Sequence, residues 1–280
     1  MSDIAIIGAG ELGGAIAYVL ARRDFGAAIR LIDDAGHIAE GKALDIAQAG
    51  PIDGFAATVS GSTDLATAGG ADIVVMADRA DGTEWQGDDG LAMLRRLVRF
   101  APHALIVCAG ATQGTLVERG VRDLHIRREH LVGTAPAALA AAARAVVALA
   151  IDASPRDVAL SLLGVPPSRI VIPWNDATVA GLAVTRLIDE PTRRQLHGRI
   201  AAMWPPGPHA LASAVSQAVE GLIGRSRTVV SCFVAPDDSS GRRMRTAAMP
   251  VQLGSGGIER IVLPSLDVVD RVALDNAMLL

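Results

Sequence analysis

Aromatic side chains are scarce in this chain of 280 residues, which has one Tyr, three Trp and four Phe. Ala, Val, Leu and Ile supply most of the 50% hydrophobic content instead, which suits buried parallel strands and closely packed helices. Cysteine is nearly missing too. Cys108 and Cys232 lie far apart in apolar runs, which excludes a disulfide framework and a metal-ligand cluster and fits a reduced, cytoplasmic setting. Neither sign of charge dominates: the net charge of −4 marks no nucleic-acid surface. No apolar run is long enough to cross a bilayer without Gly, Pro or charge. The nearest, Ala135 to Ala150, is interrupted by Pro136 and Arg144 and reads as a core helix. An acid at Asp3 leads straight into a strand, so no secretory signal is expected there. Internal repeats and low-complexity linkers are also missing.

What is present is concentrated near the N-terminus. A strand (Asp3 to Gly8) runs into Gly8-Ala9-Gly10-Glu11-Leu12-Gly13, then a helix, then a second strand ending at Asp33. Gly8 permits a sharp turn, and Gly10 removes a Cβ so that backbone N–H groups can approach a pyrophosphate. Gly13 lets the helix pack close to the strand, with its positive dipole end toward the phosphates. Asp33 follows at about twenty residues, the spacing at which a carboxylate accepts hydrogen bonds from the adenosine ribose. Its charge disfavours a 2′-phosphate, so NAD is expected over NADP.

Strands and helices alternate through the first half. The expected elements are a helix over Ile38 to Ala49, strands over Ala56 to Ser60 and Ile73 to Met76, a helix over Leu91 to Phe100, and strands over Ala104 to Cys108 and His130 to Gly133. This alternation predicts a doubly wound parallel sheet. The second half changes character. Helices are expected over Pro136 to Leu149, Pro191 to Met203 and His209 to Gly224. Val158 to Leu163 and Ile170 to Pro173 read as a strand pair joined across Pro166-Pro167. Thr228 to Val234, Ala247 to Leu253 and Ile258 to Leu263 read as antiparallel strands, and Leu266 to Leu280 as a closing helix. The boundary falls near Thr134, giving domains of 1–133 and 134–280.

The stretch Gly41-Lys42-Ala43-Leu44-Asp45-Ile46, then Ala49-Gly50-Pro51-Ile52, resembles the lactate/malate dehydrogenase family, in particular its malate dehydrogenases. The similarity continues through Gly61-Ser62-Thr63-Asp64, Ala71 to Val75, Asp88-Asp89, Leu131-Val132-Gly133, Asp157-Val158 to Gly164, Thr178 to Gly181 and Gly257-Ile258-Glu259. It implies an α/β fold: an N-terminal Rossmann domain with a doubly wound parallel sheet, followed by an α+β C-terminal domain of the lactate/malate dehydrogenase type. It also implies NAD contacts at Gly8, Gly10, Glu11, Leu12, Gly13, Asp33, Ala77 and Ala109, a small-molecule ligand, and a homodimer or homotetramer.

The family's chemistry uses a His to take the hydroxyl proton, an Asp to orient that His, an Arg to grip the substrate carboxylate, lid arginines to polarise the carbonyl, and an Asn. None stands at its matching position. Pro166 falls at the His, Leu139 at the Asp and Ala142 at the carboxylate Arg; Arg144 matches only a structural Arg. Asp81 and Gly87 fall at the lid arginines, and Gly110 near the Asn. Losing a general base alone costs about 10²–10⁴ in rate. The lid has also changed sign, since Asp81 and Glu84 repel a dicarboxylate. Ordinary malate or lactate oxidation is therefore not expected. The alternatives are a repurposed binding protein, or an oxidoreductase acting on a non-anionic carbonyl or alcohol.

Two weak substitutes for the lost groups exist, Arg79 on the lid and His209 after Pro206-Gly207-Pro208. Glu11 inside the glycine turn reads either as a solvated first-turn acid or as a source of repulsion toward pyrophosphate. Trp85 and Trp174 either line an apolar ligand site or fill space left by lost polar groups. Arg242-Arg243-Met244-Arg245 reads as a basic turn, solvated or touching an anion.

Overall fold

A computed structural model describes residues 2–25, 28–237 and 244–279. The first half contains β1 (Asp3–Ile7), α1 (Glu11–Arg23), β2 (Ala28–Ile32), α2 (Gly36–Asp53), β3 (Thr58–Ser62) and β4 (Ile73–Met76). It continues with α3 (Gly87–Phe100), β5 (Leu105–Cys108), α4 (Gly114–Leu124) and β6 (Leu131–Gly133). There follow α5 (Ala135–Ala150), β7 (Val158–Ala159), β8 (Leu163–Val165), β9 (Arg169–Val171), β10 (Thr178–Val179) and β11 (Leu182–Ala183). The last elements are α6 (Val184–Leu187), α7 (Glu190–Ala201), α8 (Pro208–Leu222), β12 (Val229–Val234), β13 (Ala247–Gly254), β14 (Gly257–Ile261) and α9 (Val268–Met278).

Strands β1 to β6 pair in parallel in the order β3-β2-β1-β4-β5-β6, the doubly wound arrangement. Every residue of β4 and β5 is buried, as expected of strands covered on both faces. The order reverses between β1 and β4, which opens a crevice at their C-terminal ends. The sheet then continues antiparallel through β12, β13, β8 and β9, with β14 on β13. Helix α8 packs on α1, so Leu211, Val215, Val219 and Leu222 join the core of the first half. A second core gathers Leu139, Val146, Val147, Val158, Ile172 and Ile200.

Several expectations need correction. Helix α2 runs through Pro51, which sits in its last turn where few backbone bonds depend on it, and Gly54 closes it at φ 78°. It begins at Gly36, two residues before the expected start. Strand β3 lies two residues later than expected. Helix α4 was not anticipated, although Leu116, Val117 and Gly120 form its buried face. The hairpin across Pro166-Pro167 joins β8 to β9; Val158 instead pairs with β10 in a separate small sheet. Leu280, Arg242 and Arg243 lie outside the described residues.

Both thiols are free and fully buried, Cys108 on β5 and Cys232 on β12, and burial pushes each up to about 12. The thiolate is the reactive form, so neither should react with a thiol-specific disulfide reagent at about pH 8 while the protein is folded. Both should react after denaturation. Rapid labelling of either thiol in the native state would contradict this packing.

Candidate dinucleotide crevice and the hairpin that crosses it

The glycine turn has the backbone that the sequence calls for. Gly8 sits at φ +111°, and a Cβ on Gly13 would lie 2.1 Å from the Gly8 carbonyl oxygen, so α1 packs directly on the turn. Gly10 is the N-cap of α1. Ala77 and Ala109 close the ends of β4 and β5, both fully buried, with their N–H groups donating to Ile7 and Met76 carbonyls. The residues expected at a dinucleotide site are thus gathered at the C-terminal ends of β1, β2, β4 and β5. Glu11 is exposed on the first turn of α1, and Lys42 Nζ reaches the Gly10 carbonyl at 2.5 Å.

The backbone amides of this turn are already taken by side chains of the chain itself. Asp78, 6% exposed, accepts from Leu12 N–H at 3.1 Å and Gly13 N–H at 2.8 Å. Its carbonyl accepts from Gly10 N–H at 3.0 Å. A Cβ on Gly10 would come within 2.3 Å of the Asp78 carboxyl, so the space left by that glycine is filled by Asp78. Asp33 is likewise committed. Its carboxylate accepts from Ala9 N–H at 2.8 Å, Ala35 N–H at 2.9 Å and Ala80 N–H at 3.0 Å, and the residue is only 5% exposed. The ribose contact expected from spacing therefore meets a carboxylate that is buried and holding three backbone segments together.

Residues 78–84 form a short hairpin. Asp78 and Glu84 pair across it, Arg79 N–H donates to Thr83 O at 2.8 Å, and Gly82 at φ +85° makes the turn. Asp81 closes the tip, accepting from the Thr83 hydroxyl and N–H; the hydroxyl contact chiefly holds its carboxyl below the usual range. Glu84 crosses to the end of β5. It accepts from Ala111 N–H at 3.0 Å, Thr112 N–H at 2.9 Å and the Thr112 hydroxyl at 2.6 Å. A Cβ on Gly110 would lie 2.3 Å from that carboxylate, so a side chain at the Asn position would enter only with Glu84 displaced. Gln113, fully buried, was missed in the sequence. Its oxygen accepts from Gly110 N–H, and its amide donates to the Ala77 and Trp85 carbonyls. A polar residue one position before an amphipathic helix was the available signal.

The remaining candidates are dispersed. Arg79 stacks over the Trp85 ring at 4.0 Å and pairs with Asp89 at 3.3 Å, so its charge is turned toward the hairpin and α3. Gly87, at φ +57°, begins α3 and is exposed. Leu139 is fully buried in the second core and Ala142 lies half-buried on α5. His209 is exposed on the first turn of α8, where it shares a groove with Glu11, Tyr18 and Lys42, and it does not line the cavity beside Pro166. That cavity, about 410 Å³, is bounded by Thr112, Thr115, Glu118, Pro166, Trp204 and Phe233, with Arg245 and Thr246. Trp204 and Phe233 meet edge to face at 6.0 Å. Trp85 and Trp174 pack on the first and second cores, in keeping with the space-filling one of their two readings. Glu118 is not free: it pairs with Arg122 at 3.0 Å and accepts from Thr246 N–H at 3.2 Å. Among the described residues no cluster of three or more His, Cys, Asp or Glu side chains could hold a metal ion, and no helix is long and apolar enough to cross a membrane.

A switch-point crevice with a glycine turn, joined to an antiparallel α+β half, defines a dinucleotide-binding protein of dehydrogenase architecture. The family model described as lactate/malate dehydrogenase, NAD binding domain, matches residues 2–85. The malate dehydrogenase of Roseobacter denitrificans is 28% identical over 98% of this chain and 93% of its own length. That of Dehalococcoides mccartyi is 28% identical over 98% and 95%. Among solved structures, malate dehydrogenase from Salinibacter ruber superposes with a TM-score of 0.87 at 23% identity, covering 98% of this chain and 93% of that one. Lactate dehydrogenase from Cryptosporidium parvum, solved with lactic acid and NAD, gives 0.88 at 22% identity, covering 99% and 94%. Residues 2–85 thus match the family's NAD-binding domain, and the similarity to malate dehydrogenases extends over 98% of the chain. In the conformation described here, however, the amides of the glycine turn are held by Asp78. A dinucleotide pyrophosphate fits this turn only if that carboxylate leaves.

Proposed function

We propose that this chain is an NAD-binding member of the family that does not oxidise malate or lactate and serves as a ligand- or partner-binding protein. The carrying observation is the joint replacement of the acid/base and anion-gripping positions by Pro166, Leu139 and Ala142. His209, the weak substitute for the lost base, lines a different groove, with Glu11, Tyr18 and Lys42. A proton acceptor, its orienting carboxylate and a guanidinium act as a unit, so losing all three leaves little of the reaction.

The test is a spectrophotometric assay of purified protein with malate or lactate plus NAD, and with oxaloacetate or pyruvate plus NADH. The expected rate is at least about 10⁴-fold below the ordinary enzyme range of roughly 1–10³ per second. Turnover inside that range sinks the proposal. A second reading, an oxidoreductase for a non-anionic alcohol or carbonyl compound, draws on the aromatic wall of Trp204 and Phe233 beside Pro166. Extending the assay to neutral alcohols and ketones decides it, and silence across that panel removes it.

A further inference from the structure

We propose that the hairpin 78–84 is a built-in occupant of the dinucleotide crevice, with Asp78 standing where a pyrophosphate would sit, so that NAD enters only when the hairpin lifts. The inference rests on the assignment of residues 2–85 as an NAD-binding domain.

Three features carry it. The first is position. Asp78 reaches the α1 amides from 66 and 65 residues away in sequence, whereas helices are ordinarily capped by a neighbouring residue. A carboxylate bridging two consecutive N–H groups at a glycine turn does what an anionic phosphate oxygen does there. The second is charge. A pyrophosphate arriving beside Asp78, with Glu11 on the same turn and Asp33 bonded to the turn's Ala9 N–H, meets carboxylates at short range; it displaces Asp78 or is repelled. The third is construction. Both arms of the hairpin are fastened by carboxylates to amides of the crevice, Asp78 to the first turn of α1 and Glu84 to the end of β5. Ala80 is tied to Asp33 between them. Beyond the hairpin, Gly87 sits at φ +57° with nothing within 4 Å of where a Cβ would be, a place where the backbone can turn as the hairpin rises.

The atoms exchanged balance well at one end. When Asp78 leaves, Leu12 and Gly13 N–H can be taken by phosphate oxygens. At the other end Glu84 gives up the Thr112 hydroxyl and two amides that a phosphate does not reach. The hairpin is therefore held shut chiefly through Glu84, and opened chiefly by competition for the Asp78 amides.

The test is NADH binding to the full chain, read by nucleotide fluorescence and by calorimetry, for the parent and for Asp78→Gly, Asp78→Asn and Glu84→Gln. Asp78→Gly should lower the NADH dissociation constant at least tenfold, Asp78→Asn by less, and Glu84→Gln several-fold. Parent binding, followed by stopped flow, should reach a limiting rate at high NADH, set by lifting of the hairpin. A folded Asp78→Gly variant whose affinity is within twofold of the parent overturns the proposal. If that variant does not fold, an unchanged affinity in Glu84→Gln overturns it, as does a parent rate that rises linearly with NADH. If neither parent nor variants bind NADH, clearing the crevice has not opened it, and the proposal also fails. Malate turnover by the parent would instead sink the functional reading and leave the hairpin's role intact.

Discussion

Replacing Asp33 by Ala should cost about 2–5 kcal/mol of stability in protein that has never met a nucleotide. Asp33 holds three backbone segments, through Ala9 on the glycine turn, Ala35 before α2 and Ala80 in the hairpin. Leaving a buried N–H without an acceptor costs about 1–3 kcal/mol. Ala9 is fully buried and bears the full penalty, while Ala35 keeps a second acceptor in Asp34 at 3.1 Å and bears less. For a chain of this size that corresponds to a fall in melting temperature of roughly 3–9 °C. Asp33→Asn should recover only part of it. One oxygen remains, and the new amide group turns donors toward donors. Thermal melts of the two variants without nucleotide check this. A variant Asp33→Ala that melts within about 2 °C of the parent, and loses only NADH affinity, would restore the ribose role that spacing suggests.

The case of Asp33 shows how far the sequence carries. The glycine spacing, the strands around it and the acid at the right distance are local features, so they were legible. The same holds for β4 and β5, which are short unbroken apolar runs, and for α5, which is apolar except for Arg144. What an acid does at that distance depends on which amides the fold brings to it, and two of the three, those of Ala9 and Ala80, come from segments distant in sequence. Asp78 was invisible for the same reason. Its partners Leu12 and Gly13 lie at the other side of the β1–β4 pair, and nothing in Asp78-Arg79-Ala80-Asp81-Gly82 marks a carboxylate bound for a helix N-terminus.

The sign change on the lid was legible, but its consequence was not. Asp81 and Glu84 read as repelling an anionic substrate. In the fold Asp81 turns back on Thr83, while the half-buried Glu84 is bonded to amides at the end of β5. Arg79 looked available because its neighbours in sequence are small or acidic; Trp85, six residues on, covers it by stacking. The misplaced strand partner of Val158 has a comparable origin. The segment around it is short and apolar, and only the hairpin at β10 and β11 supplies an edge for it.

Restoring the family's orienting carboxylate with Leu139→Asp should abolish folding of the chain rather than revive catalysis. Leu139 is fully buried in the core shared by α5, α7 and β7. Removing its side chain forfeits about 2–3 kcal/mol of apolar burial. Enclosing an unpaired carboxylate in its place costs several kcal/mol more, even after its proton affinity adjusts. Together these approach the whole stability of an ordinary domain, about 5–15 kcal/mol. By contrast Pro166→His changes a half-buried residue at the edge of a cavity and should remain soluble, yet show no malate turnover, because no carboxylate fixes the tautomer of the new imidazole. Soluble yield, thermal melts and the NAD-coupled assay on both single variants and the double variant decide the matter. If Leu139→Asp melts within a few degrees of the parent and the double variant turns over malate, the core around α5 still has room for the lost acid. If the single acid substitution collapses the protein, this part of the chain has been repacked as a structural core, and a return to the parent reaction would need compensating changes on α5 and α7 together.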